Sequence, residues 1–429
     1  MDHTVNELLT RFGRGTPMGD MLREYWAPIA RSAALEPDGA PFRAKLMGDG
    51  YVAWRATDGR VVVFDEACPH RGTSLALARN EDNALRCLFH GWKIDASGQV
   101  LETPCESADR RAAFAASVRV KPYPVREAGG LVWTYVGKRA SPPSFPHFDF
   151  MDLPASHIDV RRAVVPYNWL QGLEAHLDSA HLGVLHASSA GTTSVRDVGS
   201  SIARDIALAT QHTAPEIEMD FMPYGMREGA LRALGDGTVY ARIRQVVLPY
   251  YVFIPFGPDA PRSWRASVPI DDETNAEWYM LYDMKRPLTP EHAERQWSGA
   301  APDRDNFAAN LGGPDTMWHQ DRRAMKNGHF TGLMRNVPFE DFIVQASMGA
   351  RVDRTREYLA PSDAIIVHAR RLLQEAVEAF RDGAPPAWQT NDIDHAGIHA
   401  LAIVLAKDAS WREAVTRKEP PPDLWKRAG

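Results

Sequence analysis

The stretch Asn168-Trp-Leu-Gln-Gly-Leu-Glu174-Ala-His-Leu-Asp178-Ser-Ala-His181-Leu-Gly-Val-Leu-His186 gathers two carboxylates and three histidines in what otherwise reads as a helix. Helical spacing sets Glu174 and Asp178 four apart, and Asp178 and His181 three apart, so all three share a face. His186 lies five residues past His181, about 140° further round at 3.6 residues per turn. Both histidines reach one point only if the helix bends or ends near Gly183, a residue that permits such a break. Two histidines with a carboxylate from elsewhere make the facial triad of a non-haem Fe(II) site, which leaves positions open for dioxygen. The plainer reading of these residues by themselves is a polar helix with satisfied histidines.

A second constellation is Cys68-Pro-His70 followed, after sixteen residues, by Cys87-Leu-Phe-His90-Gly-Trp92. Such a Cys2His2 set holds either tetrahedral zinc or a Rieske [2Fe–2S] centre, in which two cysteines bind one iron and two histidines the other. A zinc finger places both cysteines first and both histidines later on a helix. Here each Cys/His pair has its own loop between strand-like runs, which favours two loops gripping a two-iron cluster. Cys105, beside Pro104, is left over and reads as a small, partly buried thiol.

The elements that must position these residues change period along the chain. Thr4 and Glu7 fit a capping box for a first helix, and Gly15-Thr-Pro-Met-Gly19 breaks the pattern before Met21–Trp26. From Phe42–Met47 through Tyr51–Arg55 and Val61–Phe64 to Leu131–Val136 the chain reads as short strands punctuated by Gly-Asp-Gly and Asp-Gly turns. Past the proline-rich Ser141–Pro146 and the histidine segment, strands return at Glu216–Phe221, Ala230–Leu234, Val239–Ile254 with a break at Pro249, Ser263–Ile270 and Glu277–Met284. Ser362–Arg381 carries an amphipathic helical stripe, and Thr390–Ala406 reads as another helix. The fold class is α+β.

With 429 residues, 44% hydrophobic and 24% charged, the chain is long enough for two or three cored domains. A formal charge of −6 and no basic stripe argue against nucleic acid. No apolar run approaches membrane-span length, and the start Met-Asp-His-Thr-Val-Asn-Glu is too polar for a signal peptide. With three cysteines there is no disulfide framework, and the expected compartment is the cytoplasm. No G-x-G-x-x-G follows a strand, so NAD(P)H electrons are expected to arrive only through a separate reductase.

Taken together, these motifs resemble the α subunits of Rieske non-haem iron aromatic-ring-hydroxylating oxygenases. Gly15–Gly19, Asn168–Glu174 and Ser347-Met-Gly349…Asp353-Arg-Thr-Arg-Glu357 resemble the phthalate dioxygenase branch. The resemblance implies an N-terminal segment over 1–40 packing on the catalytic domain, a Rieske domain over 41–140, and a helix-grip catalytic domain over 150–429. It implies that Cys68, His70, Cys87 and His90 hold the cluster. His181 and His186 would bind Fe(II) with Asp341, which occupies the family's place for the carboxylate ligand; its neighbour Glu340 is the alternative, because the branch carries Gln-Asp there. Asp178 would bridge to a cluster histidine of a neighbouring subunit, which implies a head-to-tail homotrimer or a stacked hexamer. The implied reaction is cis-dihydroxylation of an aromatic ring with O2 as co-substrate. Monohydroxylation or demethylation by the same machinery is the alternative outcome, and a Rieske electron carrier with a ligand-binding domain the alternative class.

Within Tyr240-Ala-Arg-Ile-Arg-Gln-Val-Val-Leu248, strand alternation sets Tyr240, Arg242, Arg244 and Val246 on one face. If that face lines the cavity below the iron, its guanidiniums suit a planar carboxylate, which arginine binds bidentately. Arg204 is a third candidate. With the phthalate-like resemblance, these arginines imply an aromatic carboxylate as substrate.

Overall fold

A computed structural model of the chain describes residues 1–189, 200–289, 297, 299–417 and 421–424, with the side chains of 200–202 left aside. It divides into two compact units, one of Phe12–Phe145 with Pro269–Asp271, the other of Met1–Arg11, Pro146–Val268 and Asp272–Gly429. Among the described residues no helix is long and apolar enough to cross a membrane.

The smaller unit is built of short antiparallel strands. Phe42–Leu46 and Asp49–Arg55 form a hairpin whose turn, Met47-Gly48, takes positive φ at both residues, as a twist-compatible two-residue turn requires. Val61–Asp65 completes this sheet. A second sheet runs Arg79–Glu81, Ala84–Arg86, Lys93–Asp95, Val100–Glu102. Trp54, Phe64, Leu75, Leu85, Trp92 and Ile94 pack with Cys68 and Cys87 into one core, so both sulfurs are fixed by the burial of their neighbours. In a third sheet Ala27–Arg31 pairs with Leu131–Thr134. That pairing is why the expected 1–40 segment divides: His3–Thr10 goes with the larger unit and Ala27–Arg31 with the smaller. The first helix is capped by Asp2, whose carboxylate accepts from Val5 N–H, and not by a Thr4–Glu7 box.

The larger unit holds one sheet in the order Ile158–Val165, Asn275–Tyr282, Arg262–Pro269, Tyr251–Ile254, Thr238–Val247, Gly225–Ala233, Glu216–Met222. The long expected strand does break at Pro249, between Thr238–Val247 and Tyr251–Ile254, since proline has no N–H for the ladder. Thr390–Ala406 is corrected from helix to strand: Leu401–Ala406 pairs antiparallel with Thr238–Ile243. Its unbroken apolar run is buried at Leu401–Leu405, which periodicity by itself does not separate from a buried helix. Helix Ala364–Arg381 buries Ile365, Ile366, Ala369 and Leu373 of the expected stripe 365, 366, 369, 372 and 373, leaves Leu372 half-buried, and adds Val377. Trp169–Leu177 and Val337–Ser347 are the helices that carry the site.

Candidate active site

Asn168 starts the histidine helix by accepting from Leu170 N–H, while its amide donates to the carbonyls of Thr10 and Asp272. Glu174 anchors the same helix to Arg354 and Arg370, at 3.0 and 2.6 Å. Gly172 faces Glu277 so closely that a Cβ would lie 2.0 Å from the carboxylate. The helix ends at Leu177, earlier than the expected break near Gly183. Asp178 adopts extended φ/ψ and accepts from Ala180 N–H at 2.7 Å, a local turn that competes with continued helix. A separate short helix, Leu182–Leu185, then presents His181 and His186 from its two ends, with ring centroids 5.3 Å apart. Gly183 serves packing, since a Cβ there would meet the carbonyl of Ala209 at 2.1 Å.

Opposite these rings stands Val337–Ser347, started by Asn336 accepting from Phe339 N–H. Neighbouring residues on a helix point about 100° apart, so Glu340 and Asp341 cannot serve one point. Asp341 Oδ1 faces His186 Nε2 at 3.1 Å and His181 Nε2 at 3.5 Å. Glu340, fully buried, meets the far side of the His186 ring instead, 2.7 Å from Nδ1. Asp178 stands on the far side of the other ring, 3.1 Å from His181 Nδ1. One donor atom each from His181, His186 and Asp341 lies within 4.8 Å of the others. Two imidazole nitrogens and a carboxylate oxygen converging from one side fit the 2-His-1-carboxylate set of non-haem Fe(II). Burial alone pulls the His186 imidazolium down and lifts the Asp178 carboxyl. The carboxylates of Asp341 and Glu340 overcome the first and raise His186 to about 9. His181 and Ala180 N–H overcome the second and hold Asp178 at about 2.

The smaller unit repeats one loop twice. Gly72 N–H returns to the carbonyl of Cys68, and Gly91 N–H to that of Cys87, at 2.9 and 3.0 Å. Both glycines have positive φ, 76° and 70°, the conformation that lets each loop reverse. Cys68 and Cys87 are buried, and the His70 and His90 rings lie 4.4 Å apart, with His70 stacked on Trp92. Burial, reinforced by the adjacent Cys87 sulfur, pushes the Cys68 thiol up to about 11 against the N–H groups of His70 and Arg71. Two sulfurs within and two imidazoles towards the surface match the donor set of a Rieske cluster, which binds thiolate and so displaces those protons. Cys105, expected to be partly buried, is exposed, its thiol reaching the His90 carbonyl at 3.7 Å.

Residues 25–124 match the model of the Rieske [2Fe-2S] domain, and residues 134–422, more than half of the chain, that of the LigXa C-terminal domain. The chain is 34% identical to the phthalate 4,5-dioxygenase oxygenase subunit of Pseudomonas putida, over 96% of its own length and 94% of the relative's. The chain belongs to the Rieske non-haem iron oxygenase α subunits, in their phthalate dioxygenase-like branch. It is also 34% identical to the 3-chlorobenzoate-3,4-dioxygenase oxygenase subunit of Comamonas testosteroni, over 87% of this chain and 88% of that one. The terminal oxygenase of carbazole 1,9a-dioxygenase from Nocardioides aromaticivorans IC177 shares the fold, with a TM-score of 0.57 at 18% identity over 85% of this chain and 98% of that chain. As a Rieske oxygenase α subunit it works with a Rieske cluster, a mononuclear iron and O2, and draws NAD(P)H electrons through a separate reductase.

An open cavity lies beside His181, His186 and Asp341. The strand face carrying Arg242 and Arg244 turns into it. Arg244 is bound to the buried Glu228 at 2.7 Å and to the Leu177 carbonyl. Arg204 is paired with Asp205 at 2.8 Å and with Asp423. Among the described residues Arg242 donates only to the Tyr240 hydroxyl, at 3.2 Å, and its buried Nε has no hydrogen-bond partner. The sequence reading missed Arg265. It is 5% exposed, lies 3.9 Å over the Tyr279 ring, and has no carboxylate partner among the described residues. Burial lowers it to about 10. Alternation along Arg262–Pro269 sets Ser263, Arg265 and Ser267 on one face; a single arginine among serines gave little signal until the strand's place in the sheet was known. His176, also in the cavity wall, was passed over as helix; its Nε2 lies 2.8 Å from Glu277, which Ser267 and Asn275 also hold.

Proposed function

We propose that Cys68, His70, Cys87 and His90 hold the cluster, that His181, His186 and Asp341 hold the mononuclear Fe(II), and that the enzyme cis-dihydroxylates an aromatic carboxylate. The bound iron supplies redox activation of dioxygen at coordination positions the triad leaves free. The chain's own residues bind and orient the ring, keep water out and fix the histidine rings. Asp178 would couple the site to a neighbouring subunit's cluster, within a head-to-tail trimer or stacked hexamer.

The observation that carries the substrate class is the pair of buried guanidiniums of Arg242 and Arg265 in the cavity wall, neither in an ion pair with a carboxylate among the described residues; Asp205 and Glu228 act on the first, and Asp341 and Glu277 on the second, only from longer range. A buried cation without a direct ion pair is incompletely compensated, and an anionic ligand in contact with it lowers that cost. The expected trio narrows accordingly. Arg204 and Arg244 already have carboxylates, so Arg242 is retained as an anchor and Arg265 joins it.

A panel of benzene mono- and dicarboxylates, offered with a generic flavin/iron–sulfur reductase and O2, tests this reading by product identification. A cis-diol acid is the expected product. A phenol or a demethylated acid would move the reaction to monooxygenation or demethylation while keeping the substrate class. Preference for a neutral arene over its matching acid would overturn the class itself.

A further inference from the structure

Glu340 has no place among the three residues proposed to hold the iron, yet it is among the most constrained carboxylates in the larger unit. Its side chain is fully buried. Oε1 accepts from the Thr331 hydroxyl at 2.8 Å, and Oε2 from the Ser189 hydroxyl at 2.8 Å. The third neighbour is His186 Nδ1, 2.7 Å from Oε2. The hydroxyl oxygen of Thr331 already accepts Leu333 N–H, so its proton is free for Glu340. With donors on both oxygens, the carboxyl is an acceptor throughout, and His186 must donate its Nδ1–H.

That assignment has a consequence for the opposite side of the ring. An imidazole that binds a metal gives up its second proton and carries one N–H, so keeping that proton on Nδ1 leaves Nε2 as the lone-pair donor, and Nε2 is the atom facing Asp341 at 3.1 Å. A carboxylate behind a ligating imidazole fixes tautomer and ring orientation and raises the basicity of the ligating nitrogen. Burial strengthens the effect, because no water screens the charge. The sequence places Glu340 and Asp341 side by side; the helix separates them into two tasks, one towards Nε2 and one towards Nδ1.

We propose that Glu340 is a positioning residue for the mononuclear site, committing His186 to metal binding through Nε2 and supplying negative charge behind it. This rests on the assignment of His181, His186 and Asp341 as iron ligands.

The test is the Fe(II) dissociation constant of metal-stripped protein, for the wild type and for Glu340→Gln. Glutamine still accepts from Nδ1–H but carries no charge. The expected result is affinity weakened roughly 10–100-fold, with unfolding midpoint and Rieske spectrum unchanged. Wild-type affinity in a folded E340Q protein would overturn the proposal. Should E340Q not fold, the wild-type protein decides the matter. With Co(II) in the mononuclear site, its proton NMR spectrum should contain a paramagnetically shifted, slowly exchanging ring N–H, sheltered by the buried carboxylate. Absence of that resonance would equally overturn the proposal. If His181→Ala retained wild-type Fe(II) affinity, the ligand assignment itself would fall. If that affinity were lost and E340Q bound normally, only the role of Glu340 would fall.

Discussion

Asp178 Oδ2 lies 3.1 Å from His181 Nδ1, on the side of the ring opposite Nε2, which faces Asp341 at 3.5 Å. The side chain of Asp178 is about a quarter exposed, whereas Glu340 on the other histidine is sealed. One carboxylate thus holds a proposed ligand ring and also meets solvent, the combination required of a group that links the iron site to something outside its own unit.

Asp178→Asn keeps an oxygen that can accept from Nδ1–H and removes the charge. Both metals should remain, while turnover falls roughly 10–100-fold. Rapid mixing of the reduced protein with substrate and O2, followed through the cluster's absorbance, measures the step directly. Reoxidation at the wild-type rate would rule out the coupling role.

His181→Ala should remove the mononuclear iron and nothing else. Iron content should drop from about three per chain to about two, with the electron paramagnetic resonance signal of the dithionite-reduced cluster intact. The complementary variant, Cys87→Ala, should abolish that signal. A protein that lost both centres on the His181 change would contradict the separation of the two donor sets.

The parts legible in the sequence are those whose geometry is local. The two Cys/His loops are short, each closed by a glycine four residues after its cysteine, so spacing was enough. The convergence of His181 and His186 was legible as a requirement, but its place was not. The turn comes from Asp178 and its bond to Ala180 N–H, and Gly183 instead answers to the approach of Ala209. Tasks set by distant chain stayed hidden. Glu340 depends on Thr331 and Ser189, Arg265 on the cavity, and Leu401–Ala406 is a strand because Thr238–Ile243 is there to pair with it.

Glu174 gives a pH-dependent prediction away from the metals. Burial lifts its carboxyl, but Arg354 and Arg370 outweigh this and hold it below its ordinary value near 4.5. A group depressed on folding contributes stability above its unfolded pKa and loses it as pH falls through the folded value. Glu174→Gln should therefore destabilise near pH 7, by less than the roughly 3–5 kcal/mol of a fully orphaned buried pair, because Arg354 loses its nearest carboxylate while Arg370 keeps Glu357 at 2.6 Å. The gap between wild type and variant should shrink once the pH drops below about 4.5. Urea midpoints across that range measure it. A gap independent of pH would mean the pair contributes by packing and not by charge.

The arginines of the cavity wall give the last prediction. Among the described residues Arg265 sits over Tyr279 with one weak bond, to the Trp264 carbonyl at 3.4 Å, and Arg242 leaves its Nε unpartnered. Neither holds a protein carboxylate among the described residues, so replacing either strands no buried acid. Arg265→Gln and Arg242→Gln should therefore fold with both metal centres filled. Each loses a charged, desolvated contact with the acid, an effect of roughly 2–5 kcal/mol, so the KM for an aromatic acid should rise steeply. Arg244→Gln should behave differently. It leaves Glu228 buried without its partner at 2.7 Å, so the loss should appear first as a lowered unfolding midpoint. Steady-state kinetics on a benzene carboxylate, beside thermal unfolding of the three variants, separates the two patterns. Unchanged KM in both R242Q and R265Q would remove the carboxylate from this wall of the cavity.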